Sequence, residues 1–334
     1  MESIKEIAQM SGVAKSTVSR YLNQGSVSEK TAEKIEKVIK DTGYTPNQFA
    51  QSLKAKKTKI IGVIIPRLNS NAMSETLLGI DDVLQEQGFQ MIISNTNQSI
   101  EREIESIESL AKQKVSGIVL AATQITDAHK RVFQTINIPM ILIGQQAKGV
   151  PSVIHDDFHV GYCIGSYLFE RGHRKVTYLG VPETDVAVGQ IRKQGVIEAS
   201  KKYKDVDLQI EETSFSFQDA IKAAQTVLKE QKPTAILAAT DTIAAGVLKA
   251  CYLQKIKVPD KLSIAGVGGD KITDLVYPGI TTVQLFFRKA GQSAAVNLLK
   301  LLEHQKIEEV LVSPYRLIER FSVSTVFENV PKKF

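Results

Sequence analysis

The sequence predicts an α/β protein of two unlike parts. A three-helix helix-turn-helix module comes first, followed by a body of two doubly wound parallel-sheet lobes. Three observations predict this. Residues 3–57 hold helix caps and helical apolar spacing with no strand-like run. From Lys59 onward, near-continuous apolar runs alternate with amphipathic stretches, the pattern of parallel sheets covered on both faces. The chain's basic excess is also confined to the first part. Residues 1–59 carry eleven Lys/Arg against six acids, +5 of the formal +6, so the other 275 residues are almost neutral.

Ser3 and Glu6 have the spacing of a capping box, and the helix they open places Ile4, Ile7, Ala8 and Ser11 on one face before Gly12 stops it. A second helix starts near Ala14 or Lys15 and runs to about Asn23, burying Val18 and Leu22. Ser28 caps a third, with Thr31, Ile35, Val38 and Ile39 inward and Gly43 at its end. Three short helices with a tight Gly-containing turn between the first two form a helix-turn-helix, whose second helix enters the major groove of duplex DNA. Lys15, Ser16 and Arg20 are then the base readers, since Lys and Arg donate to guanine O6/N7 and Ser serves either edge pattern. Thr17, Ser19, Tyr21 and Asn23 are placed to meet phosphates. A solvated surface helix would carry similar charges. The local basic excess favours the phosphate-binding alternative. Ala14 forfeits a helix cap worth about 1 kcal/mol.

In the body, strands are expected at 60–65, 89–94, 117–122, 140–144, 175–181, 234–240 and 262–267, with helices among them at 74–87, 100–114, 157–171, 189–203, 217–231 and 242–254. So long a stretch exceeds one comfortable core, hence two lobes. Ligands of such sheets bind beyond the carboxyl ends of the strands. Those ends carry Arg67, Asn69, Ser70, Asn95, Gln145, Asp156 and Asp241. Asp and Arg suit sugars because each makes paired hydrogen bonds to neighbouring hydroxyls.

Composition narrows the function. No apolar stretch reaches transmembrane length, and the charged N-terminal helix lacks a signal peptide's apolar core, so a cytoplasmic protein without membrane contact is expected. Cys163 and Cys251 fit small core residues in a reducing compartment. The five histidines show no metal-ligand spacing, and His173 is expected to be structural. No nucleophile–base constellation or dinucleotide fingerprint is visible (GVGGD at 266–270 lacks the spacing), so neither an enzyme nor a bound cofactor is expected. Without a heptad tail before Phe334, a homodimer is the economical assembly.

The strings IAQMSGVAKSTVSRYLN and TPNQFAQSLKAKKT…IGVIIP resemble the LacI/GalR family of bacterial repressors, over the whole chain. The resemblance implies a lambda-repressor-like domain at 1–45, a hinge helix and linker at 46–58, and a periplasmic-binding-protein-like effector and dimerisation domain at 59–334. Its N-lobe would comprise 59–156 and 287–316 and its C-lobe 157–286 and 317–330, with crossings near 156–158, 285–288 and 314–319. It implies that Asn47, Ala50 and Leu53 meet the minor groove, where an apolar Leu53 wedge would unstack a base step. It places Asp156 and Arg192 on sugar contacts, and Phe215 and Phe287 where rings pack on the ligand. Where the family has a carboxylate after the strand SIAGV, this chain has Gly268–Gly269. Either the ligand approaches the backbone there, or Asp270 supplies the contact.

Within the family, GSVSEKTAEKI, TPNQFAQSLKAKKT and IIPRLNSNAMSETLLGI are most like repressors of sucrose operons in Gram-positive bacteria. AKG…DD, GHRKVTYLGVP and ATDTIAAG are similar to the trehalose repressor, a phosphosugar binder, with Arg67 at a phosphate contact but Gln145 where a second Arg is expected. The resemblance thus implies a repressor released from palindromic double-stranded operator DNA by a sugar or sugar phosphate, sucrose leading and trehalose 6-phosphate second. A global regulator dependent on a co-repressor or carrier protein is the remaining alternative.

Overall fold

A computed structural model describes residues 3–22, 25–44 and 58–326. The chain divides into two compact units, 1–58 and 59–334.

In the first unit, α1 (Ile4–Ser11) opens with the Ser3/Glu6 capping box. The Ser3 side chain accepts from the Glu6 N–H and the Glu6 carboxylate accepts from the Ser3 N–H. Gly12, in the left-handed region at φ 66°, closes the helix by donating to the Ala8 and Gln9 carbonyls. The second helix, α2 (Lys15–Leu22), starts at Ala14, whose carbonyl accepts from Thr17 and Val18 N–H at 2.8 and 3.2 Å. Before α3 (Glu29–Thr42), Ser28 occupies the cap position, but its hydroxyl meets the Thr31 hydroxyl at 2.8 Å and caps no backbone N–H. Ile7, Ala8, Val18 and Ile35 form the buried centre, with Leu22, Val38 and Ile39 packed half-buried around it.

The body runs β1 (Ile60–Ile65), α4 (Asn71–Glu86), β2 (Gln90–Asn95), α5 (Ile100–Lys112), β3 (Gly117–Ala121), α6 (Asp127–Thr135), β4 (Met140–Ile143), β5 (Ser152–His155) and α7 (Asp157–Glu170). It continues with β6 (Lys175–Gly180), a π-helical turn (Val186–Arg192), α8 (Lys193–Ser200), β7 (Asp207–Glu212), α9 (Phe217–Glu230), β8 (Ala235–Ala238), α10 (Asp241–Leu253) and β9 (Ser263–Gly268). Last come α11 (Ile272–Leu275), β10 (Thr281–Leu285), α12 (Phe287–Leu302), β11 (Val310–Ser313) and β12 (Tyr315–Ile318). One sheet has the order β11-β5-β4-β3-β1-β2 and is parallel throughout; the other is β12-β10-β9-β8-β6-β7.

One strand departs from the expected parallel pattern: β12 runs antiparallel to β10. The carboxyl edges of both sheets face the same cleft. A chain crossing from β11 through Pro314 alone therefore enters the second sheet from its carboxyl edge, against the other strands. The chain passes between sheets at two other places, from β5 into α7 and from β10 into α12.

Both lobes use glycine to bring two helices together. A Cβ on Gly79 of α4 would lie 1.9 Å from the Arg288 carbonyl oxygen, and one on Gly291 of α12 2.1 Å from that of Thr76. In the C-lobe, a Cβ on Gly161 of α7 would stand 2.0 Å from the Arg192 carbonyl oxygen, and one on Gly195 of α8 2.0 Å from that of Phe158. These contacts fix the backbone of Arg192 against α7.

Candidate functional site: the cleft between the lobes

The carboxyl edges of the two sheets enclose a cleft of about 1090 Å³ including its open mouth. From the first sheet come the loop after β1 (Arg67, Asn69, Ser70), Thr123 after β3, Gln145 after β4 and His155 at the end of β5. From the second come Asp157, Asp185, Arg192, Phe215, Asp241 and Asp270, with Phe287 at the start of α12. Of the ten residues the sequence nominated for this cleft, eight line it.

The two exceptions are Asp156 and Asn95. Asp156 caps α7: its carboxylate accepts from the His159 N–H at 3.1 Å and pairs with the His159 ring at 2.8 Å. The next residue, Asp157, faces the cleft, because one step along a helix turns the side chain by about 100°. Asn95 ends β2, the edge strand beyond β1. Its carbonyl accepts from Arg102 at 3.0 Å, and its side-chain oxygen is buried away from the cleft lining.

Arg192 is only 4% exposed, and each of its three nitrogens already donates a hydrogen bond to the protein. Nε donates to Asp157 at 2.9 Å, Nη2 donates to the same carboxylate oxygen, and Nη1 donates to the Ala239 carbonyl at 2.6 Å. Burial is the largest influence and opposes its charge, but Asp157, Tyr178 and Asp185 together outweigh it and raise its pKa. The π-helical turn ends on this residue and begins after Asp185, which caps it by accepting from the Val188 N–H at 3.0 Å. Burial raises the Asp185 carboxyl, against the pull of Arg192 and Arg67. Beside them the Tyr178 hydroxyl is buried without a partner, and burial raises its pKa.

Arg67 stacks across the cleft on Phe215, its guanidinium carbon 3.5 Å from the ring centroid. Its Nη1 is buried with no hydrogen-bond partner, and desolvation lowers its pKa despite the nearby Asp185 charge. His155 packs edge-on against Phe287 with centroids 5.1 Å apart. The His155 Nδ1 is likewise buried and unpartnered, and burial holds its pKa at about 4, so the ring is neutral at neutral pH. Gln145 donates to the Thr123 carbonyl at 2.9 Å. Ser70 caps α4, accepting from the Met73 N–H.

Asp241 is 2% exposed and accepts from the Thr282 hydroxyl at 2.6 Å and the Asp270 N–H at 2.7 Å. Burial pushes its pKa up to about 6. Gly268 and Gly269, at φ 145° and 77°, let the loop fold back onto this carboxylate; a Cβ on Gly268 would lie 3.0 Å from it. The close approach that these glycines permit is thus to Asp241, while Asp270 lines the cleft.

The first unit exposes Lys15, Ser16 and Arg20 on α2, with Thr17, Ser19 and Tyr21 half-buried and Tyr21 packed on the helical core. The Arg20 carbonyl accepts from the Gly25 N–H at 2.8 Å. Asn23, Asn47, Ala50 and Leu53 lie outside the described residues.

The sequence reading missed Asp157, Asp185 and His155. Asp157 and His155 flank the nominated Asp156, so the signal was one residue out of phase. Asp185 sits in a polar loop whose π-helical continuation has no sequence signature.

Comparison with known proteins agrees with this architecture. Residues 3–47 match the model of bacterial regulatory proteins of the lacI family, and 166–323 match a periplasmic binding protein-like domain. The chain is 41% identical to the sucrose operon repressor of Staphylococcus xylosus over 93% of this chain and 97% of that protein. It is 31% identical to the HTH-type transcriptional regulator TreR of Escherichia coli (strain K12), over 94% and 98% respectively. Its fold is similar to the lac repressor dimer bound to operator and the anti-inducer ONPF, with TM-score 0.88, 25% identity, and 97% of this chain and 99% of that one covered. Helix-turn-helix, two-lobed body and relatives matched nearly end to end agree: the chain belongs to the lacI family of bacterial regulatory proteins.

Proposed function

We propose that this chain is a sugar-responsive repressor of a carbohydrate-utilisation operon, with sucrose the leading effector. One observation carries the sugar assignment. Among the described residues, the cleft holds a buried unpaired donor, Arg67 Nη1, and a buried unpaired ring nitrogen, His155 Nδ1, which donates or accepts according to tautomer. Hydroxyls both donate and accept, so a polyol satisfies both, and buried polar groups are costly until they are satisfied. Phe215 and Phe287 add apolar ring faces of the kind that sugar C–H groups cover.

The exposed Lys15, Ser16 and Arg20 support base reading by α2, and the family match extends to the segment holding Asn47. Two protomers would present two such helices to a palindromic operator in the cytoplasm. Exposed apolar residues on the edge strand β2 (Ile92, Ile93) and in the C-lobe (Tyr252, Leu253, Leu275, Tyr277) support a homodimer. No helix among the described residues is long and apolar enough to cross a membrane. Release requires the sugar to bind the DNA-free arrangement better than the DNA-bound one. One feature favours a phosphorylated effector, namely the unpaired guanidinium N–H of Arg67. Asp157, Asp185, Asp241 and Asp270 on the same walls weigh against it.

The test is fluorescence anisotropy of an operator selected from a random duplex library, titrated with sucrose, sucrose 6-phosphate, fructose, trehalose and trehalose 6-phosphate. Release by sucrose is the expected result. Release by trehalose 6-phosphate alone would overturn the effector assignment, and indifference to every sugar would overturn the proposal.

A further inference from the structure

Two contacts cross from lobe to lobe at the mouth of the cleft, and the protein makes both with its own atoms. The Arg67 guanidinium, after β1, stacks on the Phe215 ring, after β7. The Val186 N–H, after β6, donates to the Thr123 carbonyl, after β3, at 3.0 Å. β1 and β3 are neighbours in the first sheet and β6 and β7 in the second, so the two contacts stand on one flank of the cleft. Asp185 adds attraction from the C-lobe, because its charge acts on Arg67. Arg67, Thr123, Asp185 and Phe215 line both the cleft and a shallower space outside it, which places them as a partition between the two.

The backbone chemistry accounts for the second contact. Val186 is the first residue of the π-helical turn, so its N–H has no acceptor within that turn. The Asp185 cap serves the Val188 N–H and leaves that of Val186 to the opposite lobe. A carbonyl accepts twice, and Gln145 also donates to that of Thr123, at 2.9 Å, which holds the acceptor in place.

Behind the N-lobe half lies a buried brace. The Thr126 N–H donates to His129 Nδ1 at 3.2 Å, so Nε2 carries the ring proton and donates to Glu103 at 2.9 Å. Thr96 shares its hydroxyl between Glu103 at 3.5 Å and the Ile65 carbonyl at 3.3 Å. Thr96, Glu103 and His129 are all fully buried or nearly so. These bonds tie the end of β1, two residues before Arg67, to the loop that carries Thr123. Against the contacts stands one cost: Arg67 Nη1 is buried with no acceptor, and opening returns it to water.

We infer that the Arg67–Phe215 stack and the Val186–Thr123 hydrogen bond form a clasp that opens as one unit and gates the cleft. The brace makes the two N-lobe loops move together, and the orphaned guanidinium N–H keeps the clasp weak enough to open. A ligand crosses this flank only while both contacts are broken.

The first measurement is amide hydrogen exchange of the full-length, sugar-free protein, resolved at Val186 by nuclear magnetic resonance. That N–H should exchange at least about tenfold more slowly than an open amide. Phe215→Ala should accelerate it at least about fivefold relative to the amides of β6, which correct for any general loosening. Phe215 takes no part in the Val186–Thr123 bond, so only a shared opening carries the effect across. An unprotected Val186, or a ratio to β6 that Phe215→Ala leaves unchanged, overturns the clasp.

The second measurement, which alone rests on the sugar reading above, is stopped-flow binding of sucrose to wild type and Val186→Pro. Proline deletes the crossing N–H, is favoured at a first helical position, and leaves the cleft lining intact. Association and dissociation rates should both rise at least about threefold, the mark of a gate, whereas a lost ligand contact raises dissociation alone. Unchanged rates overturn the gate. Failure of wild type to bind sucrose overturns the effector reading and the gate together, while the exchange ratio still decides the clasp. Should Val186→Pro lower the ligand-free melting temperature, Phe215→Leu takes its place, with the same rise in both rates expected.

Discussion

Replacing Arg192 with alanine should damage the fold before it damages binding. The guanidinium is buried, and its three donated hydrogen bonds all end on protein atoms, two on Asp157 and one on the Ala239 carbonyl. Removing it leaves a buried carboxylate with no counter-charge, which typically costs about 3–5 kcal/mol. A carbonyl also loses its donor, for about 1–3 kcal/mol more, although the two losses overlap because the site can relax or admit water. A net loss of roughly 4 kcal/mol is expected, a large share of the 5–15 kcal/mol typical of a folded domain. The double variant Arg192→Met/Asp157→Leu removes both charges and should recover at least about half of the loss, because an apolar pair of similar volume is often as stable as the ion pair. Urea unfolding at fixed protein concentration, followed by tryptophan-free probes such as far-ultraviolet circular dichroism, gives each free energy by linear extrapolation. Single-variant losses under about 1 kcal/mol with an unchanged urea slope, or a double variant no better than the singles, would refute the buried-pair argument.

Three other outcomes are expected. Ile35→Ala empties the centre of a small core in which, among the described residues, Ile7, Ala8, Val18 and Ile35 are the buried hydrophobic side chains. A loss of about 2–5 kcal/mol should abolish operator binding while calorimetric sugar binding by the body persists. Loss of both would contradict the division into two units. Lys15→Ala should relax preference at a particular half-site base pair, measured on a panel of operator variants, whereas a phosphate contact would weaken them all equally.

Acidification should expose two opposed titrations. With its pKa held near 4, below the ordinary 6.5, His155 stabilises the fold above pH 6.5 and loses that contribution as pH falls through 4. Asp241, raised to about 6 from 3.8, contributes stability below pH 3.8 that is lost as pH rises through 6. Each is worth about 3 kcal/mol by the shift. Relative to wild type, His155→Gln should therefore gain stability between pH 6.5 and 4, and Asp241→Asn should lose it. Parallel melting-temperature profiles for all three proteins would disprove the assignment.

How much was legible in the sequence depended on what each residue packs against. Central strands such as IIGVII and GIVLA are buried on both faces and read as unbroken apolar runs. The strand DLQIEE lies at a sheet edge with polar residues outward, and the short strands SVIH and YRLI sit at lobe crossings, so none of them carries such a run. The capping box at Ser3 was legible because it is entirely local. The choice between Asp156 and Asp157 was not, since an Asp-Asp pair before a helix leaves open which one caps and which one faces the cleft. Nor could spacing reveal that Arg192 is engaged by Asp157, a partner 35 residues earlier in the chain.

The three passages of chain between the sheets have a mechanical consequence. A single strand joining two bodies acts as a ball joint, free to swing and twist. Three links at separate places along one edge act as the knuckles of a door. They resist twist and sideways slip, and leave one easy rotation that opens or shuts the gap. With Pro314 as one link and no slack on either side of it between β11 and β12, the stiffest knuckle sits at the last crossing. Whatever fills the gap can then change only one angle, so occupancy of the cleft is converted into movement along a single coordinate.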